Sequence, residues 1–74
     1  MMTPTIRVGG ETLWLDAEDW REGTFGLDRS LSGQCDGCGA DIAEQGEIAR
    51  VLGERTVRCI NCKALYPVEF KEVR

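Results

Sequence analysis

The chain has 74 residues, carries 13 acidic against 9 basic side chains for a net charge of −4, and contains no histidine. A domain of this size seldom draws more than about 3–5 kcal/mol from its core, so a staple is expected: disulfides, a metal or a partner chain. The missing histidine removes H-E-x-x-H and deaminase-type zinc chemistry. The acidic balance works against strong non-specific nucleic-acid binding, and no segment approaches the length of a membrane span.

In chain order, Met1 to Arg7 show no charged start followed by an apolar run, so the expected location is cytoplasmic. Thr5 to Val8 and Glu11 to Leu15 are alternating runs around Gly9-Gly10, the pattern of a tight hairpin in which glycine supplies positive φ. Pairing Val8 with Glu11 and Ile6 with Leu13 places Ile6, Val8, Leu13 and Leu15 on one face. Trp14 projects from the other. Asp16 to Glu22 reads as a short helical turn, capped by Asp16, with acidic residues at its positive end and Gly23 and Gly26 closing it. Residues 27–34 read as a connector.

The four cysteines come as two matched pairs, Cys35-Asp36-Gly37-Cys38 and Cys59-Ile60-Asn61-Cys62, with twenty residues between them. Between the pairs, Asp41 can cap a helix reaching Leu52. Gly46 opposes this at a cost of about 1 kcal/mol, and the apolar spacing fits a helix poorly. The preferred reading is a loop to Gly46, a strand from Ile48 to Leu52, a turn at Gly53-Glu54 and a returning strand from Arg55 to Cys59. After the second pair, Ala64, Tyr66, Val68 and Phe70 alternate along one last strand, and Pro67 places that strand at an edge.

A C-x₂-C turn presents two sulfurs from one small loop, half of a tetrahedron, and two such loops complete the closed Cys₄ set that Zn²⁺ takes in structural sites. Cys35, Cys38, Cys59 and Cys62 are therefore the expected ligands of one metal ion. A disulfide framework needs an oxidising compartment, and a thioredoxin-type pair needs a βαβ context; the sequence offers neither. An iron site uses the same four thiolates, so spacing leaves zinc and iron both open.

Cys35-Asp36-Gly37-Cys38-Gly39 resembles the C-x-x-C-G knuckle of zinc ribbons and rubredoxin-like modules, over about residues 32–70. The resemblance implies zinc as the cofactor, with iron second, and a hairpin between the knuckles followed by a third strand. The expected fold is a small metal-stabilised, mostly-β chain: a zinc ribbon of two knuckles and a three-stranded antiparallel sheet, with the N-terminal β-hairpin and helical turn appended. Residues 1–31 are then an extension packed on the ribbon of residues 32–74, one domain overall. Gly39 suits the positive φ that turns a knuckle's backbone N–H groups toward sulfur. The second knuckle departs from the pattern, because Lys63 stands where glycine would, at about 1–2 kcal/mol if it adopts that conformation.

Four thiolates leave no open coordination position, so a structural ion and no enzymatic activity are expected, with no small-molecule substrate. Zn(Cys)₄ carries a formal charge of −2, which Arg58 and Lys63 can offset from beside the site. Function then falls between a protein-interaction or regulatory module on a larger complex and a nucleic-acid-binding ribbon, with a rubredoxin-like electron carrier third. Trp14 and Trp20 are candidate partner anchors, or a second core over the ribbon. Residues 1–34 and 35–53 each sum to −3, whereas 54–74 sum to +2, so Arg55, Arg58, Lys63, Lys71 and Arg74 form the candidate basic strip.

Overall fold

The computed structural model describes residues 2–28 and 32–72. Two three-stranded antiparallel sheets are present. The first is built on the N-terminal hairpin of β1 (Met2–Val8) and β2 (Glu11–Trp14), with Val8 opposite Glu11 and Ile6 opposite Leu13, the register that alternation requires. Gly9 and Gly10 take φ of 61° and 79°, the two positive values of a type I′ turn. Ile6, Val8, Leu13 and Leu15 are all buried. Pro4 lies within β1, and it accepts the Leu15 N–H at 3.0 Å but has no N–H to return.

Helix α1 (Ala17–Glu22) follows, capped by the Asp16 carboxylate, which accepts from the N–H groups of Glu18 and Asp19 at 2.9 and 3.1 Å. Gly23 ends it in the left-handed region at φ 87°. The connector is more ordered than expected at its start. Asp16 N–H donates to Gly26 O and Asp28 N–H to Trp14 O, both at 2.8 Å, so residues 26–28 run back along the end of β2. Residues 29–31 of the connector lie outside the described residues.

Both readings of residues 40–53 hold a part of the structure. Asp41 caps one turn, α2 (Ile42–Gln45), and burial of Ile42 anchors it. Gly46 then starts β3 (Gly46–Val51), which pairs with β4 (Glu54–Cys59). Gly46 is required by close approach, not by its dihedral: a Cβ there would lie 2.5 Å from the Phe25 ring and 2.7 Å from Ile42 O. The hairpin turn falls one residue earlier than predicted, at Leu52-Gly53, with φ of 52° and 81°. Val51 thereby faces Glu54, and Leu52 stands at the tip 99% exposed.

The predicted single strand from Ala64 to Phe70 is instead two. Strand β5 (Leu65–Tyr66) pairs at the edge of the β3–β4 sheet, and β6 (Glu69–Glu72) crosses to pair with β1, completing the first sheet in the order β2-β1-β6. Pro67 is the reason, since it cannot donate to a continuing ladder. The predicted shared face fails with it: Tyr66 is buried, while Phe70 is 49% exposed. The sheets meet over one cluster in which Ile6, Leu13 and Leu15 join Ile42, Val57, Tyr66, Cys35 and Cys59. Two buried threonines bind strands together, Thr5 Oγ1 donating to Glu69 O and Thr56 Oγ1 to Tyr66 O, each at 2.8 Å.

Candidate metal centre

The two C-x₂-C segments fold as near copies. In the first, Gly39 N–H donates to Cys35 O at 2.8 Å and Cys35 N–H to Ala40 O at 2.7 Å. In the second, Lys63 N–H donates to Cys59 O at 2.8 Å and Cys59 N–H to Ala64 O at 2.9 Å. Both loops need a left-handed residue after the second cysteine, and φ is 78° at Gly39 and 69° at Lys63. Lys63 therefore carries the conformational cost expected of it. Neighbouring bonds fix the loops in the fold: Ile42 N–H donates to Gly33 O at 2.8 Å, and Ile60 N–H to Gln45 O at 2.7 Å.

These loops bring the sulfurs of Cys35, Cys38, Cys59 and Cys62 within 4.8 Å of one another. Cys35 and Cys62 are 3.4 Å apart and Cys38 and Cys59 3.7 Å, both pairs spanning the two knuckles. A tetrahedral ion with metal–sulfur bonds of about 2.3 Å needs sulfurs about 3.8 Å apart. The four cysteines can therefore hold a metal ion without rearrangement of the chain. Cys35 and Cys59 are buried, whereas Cys38 and Cys62 are exposed. Gly37 keeps the cluster open, because a Cβ there would lie 3.0 Å from Cys62 Sγ.

The polar surroundings favour thiolate unevenly. Tyr66 Oη donates to Cys35 Sγ at 3.1 Å and Gly37 N–H points to the same sulfur at 3.4 Å, and these, the tyrosine bond foremost, bring Cys35 down to about 6. The Asn61 side chain and then the Ala40 N–H lower Cys38. The Ala64 N–H lowers Cys62, yet the three neighbouring sulfurs, Cys35 foremost, together with partial desolvation outweigh it and push Cys62 up to about 12. Four sulfurs this close cannot all carry a negative charge unaided; a divalent cation among them removes the conflict. Burial, followed by the bond to Cys35, raises Tyr66 itself to about 12.

The remaining predicted site residues scatter. Arg58 turns to Glu47 across the strand pair, Nε donating to Oε2 at 2.7 Å. Lys63 is exposed beside the second knuckle. Arg55 lies flat on Trp20, its Cζ 3.8 Å from the ring centroid, and its Nη1 donates to Trp20 O. Trp20 also meets Phe70 edge-on at 5.9 Å, so this tryptophan packs against the core from α1. Trp14 is half-buried on β2, and Lys71 is half-buried on β6, in the sheet that carries neither knuckle. Arg74 lies outside the described residues. Sequence reasoning did not single out Gly37 or Asn61; it weighed Tyr66 as a stacking surface or, preferably, as core, where the residue is indeed buried, but not as a hydrogen-bond donor to sulfur.

Among the described residues, no helix is long and apolar enough to cross a membrane. Comparison with protein-family models, with curated proteins and with solved structures returns no match.

Proposed function

We propose that this chain is a zinc-ribbon-like protein in which one Zn²⁺, held by Cys35, Cys38, Cys59 and Cys62, serves the fold and not a reaction, and that the folded chain acts as a protein-interaction or regulatory module on a larger complex. The observation that carries the metal part is the approach of four sulfurs from two similarly hydrogen-bonded knuckles to within 4.8 Å. Zinc suits a closed thiolate tetrahedron on a chain without histidine. With four thiolates and one Zn²⁺ the formal charge falls to about −6.

A protein partner is favoured over nucleic acid by the state of the basic strip. Arg55 is stacked on Trp20 and Arg58 is paired with Glu47, so both are drawn away from phosphate. The β3–β4 hairpin and the segment after the second knuckle instead offer apolar surface: Leu52 at the tip, with Val51, Leu65, Pro67 and Val68 around a groove of about 240 Å³ that Glu54, Arg55 and Thr56 also line. Two measurements on the metal-loaded chain test this. Fluorescence titration with single- and double-stranded oligonucleotides is expected to show no binding at physiological salt. Affinity capture from the native host is expected to retain a stoichiometric protein with the wild type and to lose it with Leu52→Asn. Micromolar nucleic-acid affinity that falls steeply with salt would contradict the proposal.

A further inference from the structure

The Tyr66 hydroxyl stands in an unusual place for a residue of the last ribbon strand. It accepts the Asp36 N–H at 2.9 Å and donates to Cys35 Sγ at 3.1 Å. An N–H cannot accept, so the single hydroxyl proton is directed to the sulfur. The ring is 6% exposed, and β5 holds it rigidly through the pairing of Tyr66 with Val57 and the Thr56 hydroxyl on Tyr66 O. Cys38 and Cys62 are exposed, whereas Cys35 and Cys59 are buried and must take their donors from the protein; of these two, Cys35 is the one the tyrosine hydroxyl reaches. The tyrosine therefore reaches one chosen sulfur from a position 31 residues further along the chain.

We infer that Tyr66 is a positioning residue of the metal centre: its hydroxyl orients Cys35 Sγ, draws charge from that one sulfur of the four, and raises the affinity of the site for a thiophilic divalent cation. This rests on the four-thiolate reading above. Hydrogen-bonded partners of metal ligands typically account for about 10–100-fold in metal affinity. The bond also closes the first knuckle onto the strand that follows the second, so the same contact couples the ligand to the register of β5.

Tyr66→Phe keeps the ring and removes the donor. Competition with a chromogenic chelator is expected to show Zn²⁺ held about 10–100-fold more weakly than by the wild type. With Co²⁺ as the probe, the sulfur-to-metal charge-transfer band is expected to move to lower energy, because a sulfur relieved of its hydrogen bond gives up an electron more readily. Packing of the ring alone would not move that band. Tyr66 is the chain's only tyrosine, so incorporation of 3-fluorotyrosine alters this hydroxyl and no other. Its more acidic proton is expected to strengthen the bond and shift the band to higher energy. Opposite shifts support the inference; an unmoved band in the fluorinated chain, or wild-type zinc affinity in Tyr66→Phe, overturns it. If Tyr66→Phe does not fold, the fluorinated chain decides alone. Failure of the wild type to bind either ion would overturn the metal reading itself, which separates the two failures.

Discussion

Gly39 and Lys63 occupy the same position in the two knuckles, each donating its N–H 2.8 Å to the carbonyl of the cysteine four residues before it, at φ of 78° and 69°. One position is free of strain and the other is not. A non-glycine residue in the left-handed region costs about 1–2 kcal/mol, of which glycine's extra backbone entropy would take back about 0.5–1 kcal/mol. Lys63→Gly is expected to stabilise the metal-loaded chain by about 0.5–1 kcal/mol in denaturant titration. Destabilisation would show that the lysine ammonium contributes more to the anionic centre than its backbone costs.

The β3–β4 turn carries the second strained residue. Leu52 takes φ 52° while its side chain touches almost nothing. Asparagine adopts this region more readily, so Leu52→Asn is expected to raise stability by about 0.5–1 kcal/mol, read as a higher melting temperature. The same change is expected to abolish partner capture. A gain in stability joined to a loss of binding would mark Leu52 as retained for contact.

Gly46 is constrained by a neighbour. In Gly46→Ala the new Cβ would meet the Phe25 ring at 2.5–2.6 Å and the Ile42 carbonyl at 2.7 Å. The ring and the backbone carbonyl both have to shift, and a loss of about 1–3 kcal/mol is expected. The double variant Gly46→Ala, Phe25→Leu is expected to recover part of it, which a denaturation series over the four chains measures.

Metal removal should act on the whole β3–β5 unit. Structural zinc contributes about 10–16 kcal/mol of apparent binding free energy in small domains, more than a core of this size supplies. EDTA, or Cys59→Ser at the most deeply buried ligand, is expected to collapse the dispersed amide NMR signals of residues 32–72, with recovery in the EDTA case on adding Zn²⁺. Retained dispersion without metal would place the folding energy in the apolar cluster instead.

Local chemistry made much of this fold legible. Gly9-Gly10 between alternating runs gave the first hairpin its register, Asp16 marked the start of α1, and the C-x₂-C spacing marked the four cysteines that the fold brings together. What stayed hidden depends on distant partners. Nothing near Pro67 says that the chain beyond it crosses to β1, because that pairing joins the two ends of the sequence. Nothing near Tyr66 says that its hydroxyl meets a sulfur 31 residues earlier. The turn at Leu52 ran against propensity, so placing glycine first in the turn was the natural error. Gly46 was legible as an interruption but not as the seat of Phe25.

The central claim is a single zinc ion held by four reduced cysteines. A native mass spectrum of the chain purified without added metal tests it most directly, since the mass reports the ion, its number and the state of the thiols together. The expected species is the chain with one zinc, its four thiols deprotonated on binding the metal and none paired as a disulfide. An iron adduct, or a metal-free folded chain lighter by the hydrogens of two disulfides, would contradict it.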